Sequence, residues 1–269
     1  MYKLVALDMD GTLLNSKKEI TTRNKEAIAQ ARARGVTVIL ASGRPLAGME
    51  EKLKELELTS DKDFVVSSNG SYVHRVSDLK QIHSQIITGK DAKRVARVAE
   101  ELGVHMHAFS VEHGLITPKN NQYTEHEAFI NGLNVNEFDF SQLEDDHPIV
   151  KAMFADSSEA LDRVTPLLAD DLHADYTIVR SAHIFLEFLH LGSNKGIGVA
   201  VVADCLGIKP TEVISIGDAQ NDHHMIKYAG LGVAMGNATE ATKALADHIT
   251  DTHENSGVAE VIERFILNV

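Results

Sequence analysis

Residues 2–7 are apolar but for one lysine, and acidic, glycine and threonine residues then break the run over 8–15, which predicts a buried strand opening into a loop. After Thr21 and Thr22, residues Ala27, Ile28, Ala31 and Ala33 recur at near-helical spacing until Gly35, and the β-branched run 36–40 predicts a second strand. A helix over about 45–58 and a strand over 64–66 continue the alternation that builds a parallel sheet covered by helices. The far end repeats it: helix 195–206, strand 213–216, a helix after Asn221, strand 231–234 and a last helix over 257–267. Both ends read as parts of one α/β, doubly wound, Rossmann-like parallel-sheet core.

The middle obeys a different rule. Strand-like pieces at 81–87, 104–109 and 115–117 surround a helix in which Ala92, Val95, Ala96, Ala99 and Leu102 share a face. Further on, 149–154 predicts a strand, 158–168 a helix, and 176–179 with 184–189 a hairpin. Strands adjoining strands predict an α+β domain inserted in the core. The division expected is a core of 1–82 and 189–269 and an insertion of 83–188.

At 269 residues, two units or a core with an insertion are expected, and a 43% hydrophobic fraction suffices to pack both. The formal net charge of -13 argues against a nucleic-acid backbone or an anionic membrane as partner. No apolar run approaches the roughly 18 residues of a membrane span. One cysteine, Cys205, excludes an internal disulfide framework, and its apolar neighbours predict a buried small hydrophobe. A cytoplasmic location is expected. The sequence leaves the oligomeric state open.

The candidate chemistry sits where strands end. Asp8-Met9-Asp10-Gly11-Thr12 follows the first strand and puts two carboxylates at the carboxyl end of a parallel sheet, where open α/β folds bind ligands. Ser42-Gly43-Arg44 follows the second strand, and its hydroxyl and amides could hold phosphate oxygens, although Ser42 alone would read as a cap or turn residue. Arg44 after a tight glycine suggests an anchor for a loop carboxylate or carbonyl. Lys195 opens a helix at the end where the dipole disfavours a cation. Gly217-Asp218-Ala219-Gln220-Asn221-Asp222 supplies carboxylates and an amide, hard oxygen ligands suited to Mg²⁺, where capping would explain only one residue.

These four segments, in this order, resemble the motifs of the haloacid dehalogenase superfamily, and within it the Cof-type sugar phosphatases with a C2-type cap inserted after the second motif. The resemblance covers nearly the whole chain. It implies a phosphoric monoester hydrolase that uses Mg²⁺ and an aspartyl-phosphate on Asp8 to act on a small phosphorylated metabolite, with sugar phosphates foremost. It further implies Asp10 as general acid and base. Ser42, Gly43, Arg44, Asn69, Lys195 and Asn221 become the phosphate or substrate contacts. Asp8, the backbone carbonyl of Asp10, Asp218 and Asp222 become the metal ligands, and the insertion a cap that selects the leaving group.

The same aspartyl-phosphate could be passed to a sugar hydroxyl, making a phosphotransferase or phosphomutase, or stored on a signalling domain, though a general base two residues from the nucleophile disfavours storage. His223 and His224 replace the apolar residue that usually follows the last motif, and a partly buried helical histidine is the expectation for His223. His105 and His107 put two imidazoles on one strand face with no third ligand in sight, so no zinc site is assigned to them.

Overall fold

The computed structural model describes residues 1–268. Strand β1 (Leu4–Leu7) is wholly buried. Leu4 and Ala6 enter the apolar cluster on one face of the sheet, Val5 and Leu7 the cluster on the other, so both faces demand apolar side chains. Helix α1 (Thr22–Ala33) starts where Thr21 Oγ1 accepts the Asn24 amide at 3.2 Å, and it buries Ala27, Ile28 and Ala31. Strand β2 (Thr37–Ala41) follows. The helix predicted over 45–58 is instead one turn, Leu46–Gly48, and a short α2 (Glu50–Glu55). The Arg44 guanidinium draws the Gly48 carbonyl away from the helix ladder at 3.3 Å, and Glu57, at φ 56°, ends the helix. Strand β3 (Phe64–Ser67) then leads through a tight turn into two antiparallel strands, β4 (Tyr72–Arg75) and β5 (Gln81–Ser84).

Strand β6 (Ile87–Thr88) begins the second unit, and helix α3 (Gly89–Leu102) follows with Asp91 Oδ2 accepting from the Thr88 amide at 2.8 Å. Then come β7 (Met106–Ser110), β8 (Gly114–Thr117), α4 (Gln122–Asn131), β9 (Val135–Glu137), β10 (Pro148–Ala155), α5 (Ser158–Val164), α6 (Asp170–Asp175), β11 (Tyr176–Ala182) and β12 (Phe185–His190). The sheet runs β11-β12-β10-β7-β8-β9, with β6 also on β10, and only β8 and β9 pair in parallel, across α4. Ala92, Val95 and Ala99 of α3 pack into this unit's core with Ile149, Ala152 and Phe154 of β10. On another part of the sheet, buried Lys151 donates to Glu187 at 3.0 Å and lies 4.9 Å from the centre of the Phe109 ring. His107 is buried too, bonded to Thr124 Oγ1 at 3.1 Å and to Met153 Sδ at 3.3 Å.

The chain then completes the core with α7 (Lys195–Leu206), β13 (Val213–Gly217), α8 (His223–Tyr228), β14 (Leu231–Ala234), α9 (Glu240–Lys243), β15 (His248–Ile249) and α10 (Gly257–Ile262), which loosens into a wider turn over Glu263–Leu267. The core sheet is ordered β15-β14-β13-β1-β2-β3-β4-β5, parallel from β15 through β3. Strand β1 lies between β2 and β13, so connections leave it in both directions and open a crevice at its carboxyl end.

Two compact units result, residues 1–84 with 194–268 and residues 85–193. The strand predicted over 81–87 is divided between them: Gln81–Ser84 is the edge of the core sheet, while Ile87–Thr88 pairs with β10. Cys205 is exposed, contrary to expectation. Helix α7 buries Gly196, Gly198, Val199, Val202 and Ala203, and Cys205 falls outside that face. Among the described residues no helix is long and apolar enough to cross a membrane.

Gly198 lies where a Cβ would stand 2.3 Å from Val66 Cγ1. Gly198→Ala should therefore destabilise the chain by about 1–3 kcal/mol in urea unfolding, although alanine is the better helix former. Burial foremost, then the Lys151 charge, holds His107 neutral in the fold down to about pH 3. Unfolded histidine takes up a proton near pH 6.5. Stability is thus full above that pH and falls as pH drops toward 3, by up to about 1.4 kcal/mol per pH unit for this one proton. Urea unfolding at pH 7 and pH 5 should show His107→Gln losing less stability than wild type over that interval.

Candidate active site

The carboxyl ends of β1, β2, β3 and β13 deliver Asp8, Ser42, Asn69 and Asp218 to one rim of the core sheet. Lys195 reaches them from the first turn of α7, whose start is fixed by Asn194 Oδ1 accepting the Ile197 amide at 2.9 Å. Its ammonium is wholly buried and donates to Asp8 Oδ1 at 2.5 Å and Asp222 Oδ1 at 2.6 Å. Burial would lower the lysine pKa, but the charges of Asp222 and Asp8 and their hydrogen bonds outweigh it and raise it, so the ammonium stays charged. The unfavourable place on the helix dipole is offset by two carboxylates.

Asp222 is held on its other side as well, because its Oδ2 accepts the amides of Asp218 at 2.9 Å and Ala219 at 3.0 Å. Asp218 in turn accepts from Thr12 Oγ1 at 3.0 Å, which ties the loop after β13 to the loop after β1. Gly11 lies between them at φ 82°, and a Cβ there would stand 2.5 Å from Asp218 Oδ2. The glycine is required by both the backbone and the space.

Asp10 points elsewhere. Arg44 forks onto it, Nε to Oδ2 and Nη2 to Oδ1, both at 2.7 Å, and Lys18 Nζ donates to Oδ1 at 2.7 Å. Burial alone would raise the Asp10 carboxyl, but the bonds and charges of Arg44 and Lys18 prevail and hold it at about 2. In this arrangement Asp10 is an ionised, twice-paired carboxylate. Arg44 also reaches the Gly48 carbonyl, so it braces the loop after β2 while gripping Asp10.

Ser42 is buried, and its Oγ accepts the Arg44 amide at 3.2 Å while its carbonyl accepts the Asn69 amide at 2.9 Å. Gly43 lets this turn approach Asn69, whose Nδ2 would stand 3.0 Å from a Cβ on the glycine. Asn69 is fully buried and accepts from Asn221 Nδ2 at 3.0 Å, linking the loops after β3 and β13. Among the described residues Asn221 Oδ1 is buried without a partner. The predicted residues therefore fall into three linked groups: Lys195 with Asp8, Asp222 and Asp218; Asp10 with Arg44; and Ser42 with Gly43, Asn69 and Asn221.

Carboxylate oxygens of Asp8, Asp218 and Asp222 lie within 4.8 Å of one another. Burial first, then Asp222 and Asp218 against the pull of Lys195, pushes the Asp8 carboxyl well up, and burial with Asp222 pushes Asp218 up to about 7. Three carboxylates share one ammonium. That surplus of negative charge, on oxygen donors only, fits a hard divalent cation.

The model of the haloacid dehalogenase-like hydrolases matches residues 5–262. The chain belongs to that family. Its Cof-type branch and its phosphatase relatives make this member of the family a phosphoric monoester hydrolase. YxeH of Bacillus subtilis (strain 168) is 36% identical over 269 residues, 99% of each chain. The 5-amino-6-(5-phospho-D-ribitylamino)uracil phosphatase YcsE of the same organism is 31% identical over 265 residues, covering 98% of this chain and 96% of YcsE. Among solved structures, a subclass IIB sugar phosphatase of the superfamily superposes with a TM-score of 0.82 at 26% identity, covering 98% of each chain. Haloacid dehalogenase-like phosphatases generally use a metal ion, and the Asp8, Asp218 and Asp222 group is where this one can hold it.

Sequence reasoning gave no role to Thr12 or Lys18. Thr12 stood inside the first motif and could have been found there, whereas Lys18 resembles any surface lysine. His223 is half-buried and bonds Thr242 Oγ1 through Nε2 at 2.9 Å, away from the carboxylates.

Lys195→Ala strands two buried carboxylates, so this phosphatase should lose about 3–5 kcal/mol of stability in urea unfolding. Added Mg²⁺ should restore more stability to the variant than it adds to wild type, because a cation would neutralise the group the lysine left.

Proposed function

We propose that this phosphatase hydrolyses phosphate monoesters of small metabolites, sugar phosphates foremost, through an aspartyl-phosphate on Asp8. The observation that carries the reading is the buried ammonium of Lys195 beside Asp8, with Asp218 and Asp222 in the same group and Asp10 two residues along the same loop. Asp8 is the nucleophile: one of its oxygens bonds to phosphorus as the bond to the departing alkoxide breaks. Lys195 offsets charge that builds on the phosphoryl oxygens. Mg²⁺, held by Asp8, the Asp10 carbonyl, Asp218 and Asp222, would bring the carboxylate and the phosphate together against their mutual repulsion.

Asp10 donates a proton to the leaving oxygen, then takes one from the water that attacks the aspartyl-phosphate and frees inorganic phosphate. As it stands, Asp10 is ionised and tied to Arg44 and Lys18, which suits the second of these steps. For the first, it must exchange those bonds for a proton as substrate enters. Ser42, Gly43, Arg44, Asn69 and Asn221 are assigned to the phosphate and to the shape of its loops. The inserted unit contributes none of these residues, and we assign it the choice of leaving group, as a cap. Sugar phosphates lead because a subclass IIB sugar phosphatase is among the structural neighbours, and a cytoplasmic location is proposed with them.

Phosphate release from a panel of sugar phosphates and other small esters tests this. Multiple turnover with Mg²⁺ is expected, abolished by chelator and lowered roughly 10⁴-fold or more by Asp8→Asn. Metal-dependent labelling of Asp8 without turnover would point to transfer or storage of the phosphoryl group, and turnover that survives in Asp8→Asn would sink the assignment.

A further inference from the structure

We propose, resting on the aspartyl-phosphate reaction assigned to Asp8, that Lys18 is a positioning residue for the second half of that reaction, where Asp10 takes a proton from water. Lys18 Nζ donates to Asp10 Oδ1 at 2.7 Å, the oxygen that also accepts Arg44 Nη2 at 2.7 Å, while Oδ2 accepts Arg44 Nε. A carboxylate oxygen offers about two acceptor positions. Oδ1 is therefore filled, and among the described residues Oδ2 keeps one position open. The Arg44 fork by itself takes one position on each oxygen and leaves the two equivalent. Lys18 breaks that equivalence.

The turn that carries Lys18 is fixed. Lys18 has φ 61°, a left-handed conformation that a residue with a Cβ keeps only where its surroundings impose it. Asn15 imposes it here: its Oδ1 accepts the amides of Lys17 and Glu19, both at 3.0 Å, its carbonyl accepts the Lys18 amide at 2.9 Å, and its amide donates to the Glu19 carbonyl at 3.0 Å. Buried Leu14 and Ile20 bridge the two arms of the turn, and the Ser16 amide donates to Glu254 Oε1 at 2.7 Å. The lysine side chain is 58% exposed, and an exposed ion pair on a free backbone would hold a carboxylate weakly. A fixed turn aimed at Asp10 returns the ammonium to the same oxygen.

In the hydrolytic step a water oxygen bonds to phosphorus, the bond from phosphorus to the Asp8 oxygen breaks, and its electron pair returns to Asp8 as the free carboxylate. The water proton passes to Asp10 Oδ2, the oxygen with room for it. Without Lys18 a second position opens on Oδ1, so water divides between two oxygens and the attacking geometry is populated less. The first half makes no such demand. There Asp10 gives up these bonds, and a leaving group that needs no proton does not call on Asp10 at all.

Rapid-quench kinetics of the full chain with 4-nitrophenyl phosphate and Mg²⁺ separate the two halves, because 4-nitrophenolate departs without a proton. Lys18→Met removes the charge, keeps a side chain of similar length and places no new demand on the left-handed backbone. Its first-turnover release of 4-nitrophenolate is expected within about threefold of wild type, while the phosphoenzyme on Asp8 decays roughly tenfold more slowly or worse and accumulates. Lys18→Arg, which keeps a charged donor, should decay faster than Lys18→Met. Equal decay in wild type and Lys18→Met, release slowed as much as decay, or decay in Lys18→Arg no faster than in Lys18→Met would each overturn the role of Lys18. Turnover that survives in Asp8→Asn would instead overturn the reaction on which the proposal rests.

Discussion

A buried ammonium needs anions, and in the core unit this need joins three elements at one point. Lys195 on α7 is wholly buried and is compensated by Asp8 after β1 and Asp222 before α8. Asp222 then orders the loop after β13 through the amides of Asp218 and Ala219, and Asp218 is tied back to Thr12 in the loop after β1. Remove the charge at the centre and the remaining carboxylates repel one another in a poorly solvated place. The ion pairs at the centre of the proposed site thus also give it its shape.

A second charged grip does different work. Arg44 is planar and forked, matches the two oxygens of Asp10, and still has a donor for the Gly48 carbonyl. It therefore determines the ionisation of Asp10 and the broken course of the helix predicted after Pro45. Asp8 and Asp10 are two residues apart, yet their surroundings drive their carboxyls in opposite directions. One is buried among like charges and the other is paired with cations. The proposed chemistry runs against both shifts: Asp8 must be ionised to attack, which a cation beside it would favour, and Asp10 must take up a proton before it can give one to the leaving oxygen.

The inserted unit solves its burial problem within an almost wholly antiparallel sheet. Apolar side chains of α3 and the strands make its main core, while Lys151, Glu187 and His107 are buried with partners of their own. A buried ion pair is weak ground for stability, because desolvation consumes most of its attraction.

The sequence by itself determined the strand and helix alternation of the core, the α+β character of the middle and the family, because two-sided burial and a phosphate site both leave short local patterns. Asp8, Asp10, Ser42, Lys195, Asp218 and Asp222 were legible for the same reason: each stands at the end of a predicted strand or the start of a predicted helix. The tertiary structure alone decided that Gln81–Ser84 belongs to the core sheet, that Cys205 faces outward, and that Lys18 and Arg44 together claim Asp10. Strand pairing, the solvent side of a helix and the partner of a charge depend on contacts between residues far apart in the chain, and a local pattern of apolar and polar positions does not record them.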